Sequence, residues 1–193
     1  MRRNNFIVCV VGFPGVGKLT IARALSRMTG ATVIDNHWIN DPIFKLVAMD
    51  GSSPVSEAVW PQVAKVREAV LETIATLAPQ DASYIFTYAG SNEDPHDRKA
   101  FEDYRDVAIR RGSPFFPVSL VCTQAELVKR IQSEERRGQK LIDPLEAIRN
   151  TTYFTPLNPQ EAGALSLDVT NLSAEAAASA VAEHIRREFG TAT

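Results

Sequence analysis

The stretch Gly12-Phe13-Pro14-Gly15-Val16-Gly17-Lys18-Leu19-Thr20 decides the arrangement of this chain of 193 residues. It follows an apolar run from Phe6 to Val11, which predicts a buried strand. Beyond it, Ile21, Leu25 and Met28 recur at helical spacing. The stretch therefore joins a strand to an amphipathic helix through a glycine-rich loop.

A glycine-rich loop in this position is suited to bind phosphate. Its backbone N–H groups can turn inward with the start of the helix behind them, and Lys18 adds a full positive charge. The spacing matches the phosphate-loop pattern in the context that this pattern requires, although an ordinary turn between strand and helix is the alternative. We predict that a nucleotide triphosphate such as ATP binds this phosphate loop, Gly12–Thr20, through Gly12, Pro14, Gly15, Val16, Gly17, Lys18, Leu19 and Thr20.

The position after Lys18 departs from the pattern. A Ser or Thr hydroxyl normally binds Mg²⁺ there, and this chain has Leu19. Thr20 is the next hydroxyl, but one step round a helix turns a side chain by about 100°. Thr20 is therefore better placed to touch a phosphate oxygen than to replace the missing ligand. If Mg²⁺ is bound, Thr20 and Asp35 are its candidate ligands.

Composition sets the class of protein. The length and the hydrophobic content of 45% fit one globular domain over residues 1–193. A net charge of −2 and a pI near 5.9 give no general attraction to nucleic acid or to an anionic membrane. No apolar run approaches the roughly 18 residues of a membrane span, so we expect a cytoplasmic protein. Nothing in the sequence indicates an oligomeric state.

Further apolar runs alternate with helical patterns along the chain. They predict strands at 31–35, 82–88, 116–122 and 164–169. Asp41 and Pro42 predict the start of a short helix, and Asp94, Thr123 and Ser173 predict caps of later helices. Five strands alternating with helices predict an α/β fold, a doubly wound domain with a parallel sheet.

Polar residues follow two of the predicted strands. Asp35 and His37 come after the second strand, and ligands of open parallel sheets bind at the carboxyl ends of strands. The third strand ends after Thr87 without the acid that often binds Mg²⁺ there in phosphate-loop proteins. We expect Asp35 to form a second wall of the site, with a helix cap as its alternative role.

A dense group of cations lies in the segment 124–150. It contains Lys129, Arg130, Arg136, Arg137 and Lys140. A solvated charged face is one explanation, because Glu134 and Glu135 lie among them. The segment also follows a strand end at the rim of the phosphate loop, so it could close over bound phosphates as a lid.

In these features the chain resembles the small P-loop kinases of the shikimate kinase, gluconate kinase and chloramphenicol phosphotransferase type, within the nucleoside-monophosphate-kinase-like group. The resemblance spans nearly the whole chain. It rests on the phosphate loop, Asp35, the lid-like segment around 130–141 and Leu167–Ser173, and only the phosphate loop is sharply diagnostic. It implies a three-layer P-loop fold with a small helical lid, and transfer of the γ-phosphoryl group of ATP to a small acceptor that it does not identify.

The resemblance also implies roles for single residues. Lys18 would bridge the β- and γ-phosphates while Arg130 and Arg136, with Arg137 on the nucleotide, close from above. Asp35 would orient or deprotonate an acceptor hydroxyl, or hold Mg²⁺ through water. The base pocket would be lined by Asp168, Val169 and Thr170.

The sequence also bears on three other functional classes. A non-catalytic nucleotide-binding module is favoured by Leu19 and by the absence of an acid after the third strand, because both usual metal anchors are then missing. A mechanical ATPase fits poorly, since such proteins use an acid on the third strand. A nucleic-acid kinase lacks the expected basic surface.

Overall fold

Five strands that follow the apolar runs of the sequence form one parallel sheet in the computed structural model, which describes residues 5–47, 55–132 and 144–191. The strands are β1 Ile7–Val11, β2 Thr32–Ile34, β3 Tyr84–Tyr88, β4 Phe115–Val121 and β5 Leu165–Asp168. Their order in the sheet is β2-β3-β1-β4-β5, and every pair is parallel. The predicted α/β fold with a five-stranded parallel sheet is confirmed.

The connecting segments are helical. The helices are α1 Lys18–Thr29, α2 Asn36–Phe44, α3 Trp60–Thr76 after a short 3-10 helix at Glu57–Val59, α4 Pro95–Arg111, α5 Gln124–Ile131, α6 Pro144–Tyr153 and α7 Ala174–Thr191. Three predicted caps are confirmed, because Asp94, Thr123 and Ser173 each accept a hydrogen bond from a backbone N–H of the following turn.

Helix α2 begins earlier than the sequence predicts. It starts at Asn36, directly after β2, and Pro42 lies inside it instead of opening it at Asp41. Asp35 has an extended backbone, and its carbonyl accepts the first turn's N–H from Trp38 at 2.9 Å. Proline near the end of so short a helix removes a single hydrogen bond, which the preceding turns tolerate.

Both faces of the sheet are covered, so the molecule has three layers. Val8 and Val10 of β1 face a core that α1, α5 and α7 complete, whereas Ile7, Cys9 and Val11 face a second core under α3 and α4. Alternate residues of a strand point to opposite faces, so a strand covered on both sides is buried along its whole length.

The thiols of the chain belong to this core and its rim. Cys9 is buried and Cys122 is partly buried, and both are free. Burial raises the pKa of both thiols. A raised pKa leaves little thiolate at neutral pH, which makes such thiols poor nucleophiles.

The structure describes only part of the predicted lid. Helices α5 and α6 form the two ends of the predicted segment 124–150, but Arg136, Arg137 and Lys140 between them lie outside the described residues. Across the described ranges, no helix combines the length and the apolar character needed to cross a membrane.

Candidate functional site

Three glycines of the phosphate loop have backbone conformations in which a side chain would be strained. Gly12, Gly15 and Gly17 have φ values of 148°, 97° and 107°. A Cβ on Gly12 would lie 2.7 Å from the carbonyl oxygen of Leu120, and one on Gly15 would lie 2.6 Å from Cγ1 of Ile131. At these three positions the loop therefore presents only its backbone, as a phosphate cradle requires.

The amino end of α1 closes this loop. Gly17 occupies the cap position and, as a glycine, has no side chain to accept an N–H of the first turn. The first helical hydrogen bond runs from the N–H of Ile21 to the carbonyl of Gly17 at 3.0 Å. The earlier N–H groups of a helix have no partner within it, and they carry partial positive charge toward an anion. The geometry fits a phosphate group.

Lys18 lies across the loop. Its Nζ donates hydrogen bonds to the carbonyls of Gly12 at 2.7 Å and Phe13 at 2.9 Å. The ammonium group is thus held against the backbone of the loop, beside the amino end of α1. It adds a full positive charge to the partial positive charge of that helix end.

The two residues after Lys18 bear on Mg²⁺. Leu19 is partly buried and Thr20 is exposed. A leucine side chain has no oxygen for a metal, so the loop lacks the hydroxyl that normally ligates Mg²⁺. The loop therefore fits the phosphates of ATP better than it fits their metal ion.

Asp35 forms a polar group at the neighbouring strand ends. Its side chain is 13% exposed, and its Oδ2 lies 3.0 Å from Nδ1 of His37. Its Oδ1 accepts a hydrogen bond from the hydroxyl of Thr87 at 2.6 Å. Its carboxylate does not cap α2, although Asp35 occupies the cap position. The helix-cap alternative thus holds for its backbone and not for its side chain.

Arg130 bridges two loops. Its Nη1 donates to the carbonyl of Val16 at 2.9 Å, and its Nη2 donates to the carbonyl of Val169 at 2.7 Å. Its Nε donates to Glu126 at 2.9 Å, and this bond lowers the pKa of the Glu126 carboxyl. The arginine therefore ties the phosphate loop to the turn between β5 and α7, while its catalytic role stays a prediction.

The turn between β5 and α7 is fixed by Asp168. One carboxylate oxygen accepts from the hydroxyl of Thr170 at 2.6 Å and from its N–H at 2.8 Å. These bonds lower the pKa of Asp168, the hydroxyl contributing more than the amide. The N–H of Val169 donates to the carbonyl of Val121 at 2.8 Å. The turn that is expected to lie along the base of the nucleotide is thus held against β4.

Two predicted groups are brought together and two contacts were missed. Arg130 joins the phosphate loop to the predicted base turn, as described above. The contacts that sequence reasoning missed are those of Thr87 with Asp35 and of Glu126 with Arg130. The second carried a signal, since oppositely charged residues four apart on a helix often pair.

The chain matches one protein family in sequence and several solved structures in fold. The family described as AAA domain matches residues 8–151. No curated protein sequence matches the chain. A gluconokinase from Sinorhizobium meliloti is similar in structure, with a TM-score of 0.68 and 20% identity over 99% of this chain and 97% of that one.

Two further solved structures have the same architecture. A tunicamycin resistance protein from Deinococcus radiodurans has a TM-score of 0.59 and 18% identity, over 94% of this chain and 95% of that one. A shikimate kinase from Acinetobacter baumannii has a TM-score of 0.56 and 18% identity, over 96% and 95%. The resemblance to small P-loop kinases is confirmed, and at these identities it establishes the fold.

Proposed function

Because this chain belongs to the AAA domain family, whose match spans residues 8–151, we propose that it is an ATP-dependent phosphotransferase acting on a small molecule. The observation that carries the proposal is the loop at the end of β1, whose three glycines have positive φ values, with the ammonium of Lys18 held across it. In the proposed reaction the γ-phosphoryl group of ATP passes to an acceptor hydroxyl or phosphate.

The residues of the site suit this reaction. Charge spreads over the phosphoryl group in the transition state, so fixed positive charge and accurate positioning supply most of the catalysis. Lys18 and the N–H groups of the loop would hold the phosphates, and Asp35 would orient the acceptor. Mg²⁺ bound with ATP would neutralise phosphate charge, and Thr20 and Asp35 are its proposed ligands, Asp35 through water.

Several parts of the proposal rest on the sequence alone. Arg136 and Arg137 are proposed to approach the phosphates from the lid, and Asp168, Val169 and Thr170 to line the base pocket. The gluconokinase and the shikimate kinase take small acceptors by name, which supports a small-molecule acceptor here. A cytoplasmic location is likewise a proposal from the sequence.

A second candidate is a non-catalytic nucleotide-binding protein. Leu19 beside Lys18 and a hydroxyl rather than an acid at the end of β3 favour it. Such a protein would bind ATP with an affinity that Mg²⁺ leaves unchanged, and it would release no ADP.

A coupled assay of ADP release tests the first candidate. The purified chain is given ATP, Mg²⁺ and a panel of nucleosides, nucleoside monophosphates, sugar acids, shikimate and antibiotics. At least one acceptor should raise ADP release, and Lys18→Ala should lower kcat/KM for that acceptor by at least about 100-fold, because it removes a contact to the transferred group.

The control variant is Arg27→Ala. Arg27 lies on the last turn of the same helix, exposed and paired with Glu175. Its loss should leave the rate unchanged. ADP release that no acceptor changes, or that Lys18→Ala leaves intact, would contradict the proposal.

A further inference from the structure

Thr87 is a buried hydroxyl at the carboxyl end of β3. It is 2% exposed, and it stands where many phosphate-loop proteins have an acid that binds Mg²⁺. A buried hydroxyl needs hydrogen-bond partners, because leaving it without them costs free energy. The hydrogen-bond partners of Thr87 connect it to the proposed site.

The register of the sheet brings Thr87 next to Asp35. Ile34 of β2 pairs with Phe86 of β3, so Asp35 follows directly beside Thr87. Thr87 pairs in turn with Val10 of β1, two residues before Gly12. Neighbouring strands lie about 4.8 Å apart, which puts the backbone of Asp35 about 10 Å across the sheet from that of β1.

The hydrogen bonds of Thr87 fix the direction of its proton. The backbone N–H of Asn36 donates to the Thr87 oxygen at 3.1 Å. A hydroxyl has a single proton, and here it points at Oδ1 of Asp35 at 2.6 Å. A short bond to a carboxylate is charge-assisted and stronger than one between neutral groups.

Without this bond the Asp35 carboxylate would have another use. Aspartate is a preferred cap residue, since its carboxylate accepts N–H groups of the first helical turn. Asp35 occupies that position at the start of α2, yet its carboxylate caps none of those N–H groups, and its Oδ1 takes the hydroxyl of Thr87 on β3 instead. The hydroxyl of Thr87 competes with the helix for the carboxylate.

We propose that Thr87 is a positioning residue of the phosphotransfer site, holding the Asp35 carboxylate toward the acceptor and away from the amino end of α2. This inference rests on the proposed function. Oδ1 takes the Thr87 hydroxyl and Oδ2 lies 3.0 Å from Nδ1 of His37, so two contacts orient the carboxylate. Each carboxylate oxygen has two lone pairs, so the carboxylate can also accept a hydrogen bond from an acceptor hydroxyl or a metal-bound water. Thr87 itself touches neither substrate.

The test compares Thr87→Val, Thr87→Ser and Asp35→Asn, singly and, for Val and Asn, together. Valine keeps the shape of threonine and removes the hydroxyl, whereas serine keeps the hydroxyl. Thr87→Val should lower kcat by about 10–100-fold with little change in the KM for ATP, because misplacing a reacting group by about 1 Å can cost that much. Thr87→Ser should stay within about threefold of wild type, and the double variant should match Asp35→Asn, as residues acting as a unit do.

Thr73→Val is the matched control. The hydroxyl of Thr73 is exposed and bonds to a carbonyl of its own helix, so the same chemical change there should leave kcat unaltered. Urea unfolding of all variants shows whether Thr87→Val and Asp35→Asn are coupled in stability, which does not depend on activity.

The outcomes separate the inference from the proposed function. Wild-type activity that Thr87→Val leaves intact, or additive effects of Thr87→Val and Asp35→Asn on both kcat and unfolding, would overturn the positioning role and leave the phosphotransferase proposal standing. If no acceptor stimulates the wild type, the proposed function fails, and the positioning role fails with it even where unfolding shows the two residues to be coupled.

Discussion

Gly15 is a residue of the phosphate loop that packs directly against α5. Its backbone has a φ of 97°, and a Cβ there would lie 2.6 Å from Cγ1 of Ile131 and 3.0 Å from Cδ1 of Leu127. Both of these side chains are buried. The loop keeps its shape because α5 packs directly on a residue that has no side chain.

We expect Gly15→Ala to be more damaging than the same change at Gly30. It adds about 1–3 kcal/mol of backbone strain and about 1–3 kcal/mol of overpacking against α5. Gly30→Ala is the control, since Gly30 has a φ of 76° and nothing within 4 Å of its would-be Cβ, so it should cost only about 1–2 kcal/mol. Urea unfolding measures both, and equal losses would show that α5 does not constrain the loop.

The residues of the candidate site differ in how well their contacts can be predicted from the sequence. The glycines and Lys18 follow from spacing within nine residues, because a loop between adjacent elements is a local structure. The bond between Thr87 and Asp35 joins residues 52 positions apart. It depends on strand register, which no spacing rule along the chain encodes. The sequence therefore showed that Thr87 stands where an acid is expected, but it did not show that Thr87 bonds to Asp35.

At the scale of elements, one buried arginine holds the end of α3 to the start of β3. Arg111, at the end of α4, is 5% exposed. Its guanidinium donates to the carbonyls of Ile74, Pro79 and Ala82, and it lies 5.4 Å from the ring of Tyr84. The planar group thus satisfies carbonyls where a helix ends and a turn begins.

Arg111→Met should therefore destabilise the fold strongly. The variant keeps an apolar stem but leaves the carbonyls of that junction without their donor, a loss of at least about 3 kcal/mol. Arg110→Met is the neighbouring control, because Arg110 is exposed and pairs with Glu72 on the surface. That variant should change the free energy of unfolding little. Similar urea midpoints for the two variants would contradict the role given to Arg111.

The elements themselves were largely predictable. All five strands were located to within two residues, since each is a short apolar run between turn signals. The predicted start of α2 was wrong because Pro42 was interpreted as the first residue of the helix. The helix begins six residues earlier, at Asn36, with the extended Asp35 in the cap position. Local signals compete at such a boundary, and tertiary contacts decide between them.

At the scale of the whole molecule, the candidate nucleotide site joins segments that are far apart in the sequence. Arg130 connects the phosphate loop, which follows β1, with the turn after β5, and β4 lies between those strands in the sheet. The loop also rests on α5. A nucleotide would therefore bind there only in the folded state, because these segments are not brought together in the unfolded chain.

Nucleotide binding should therefore stabilise the entire domain, whether or not the protein is catalytic. ATP at 100 times its Kd would add about 2.7 kcal/mol to the free energy of unfolding, which for a domain of this size raises Tm by about 5–10 °C. Lys18→Ala should remove most of this shift, measured against its own ligand-free Tm, while Arg27→Ala should keep it. A thermal melt with and without ATP is sufficient. An equal shift in wild type and Lys18→Ala would mean that ATP binds away from the phosphate loop, and no shift in wild type at saturating ATP would mean that the loop does not bind nucleotide.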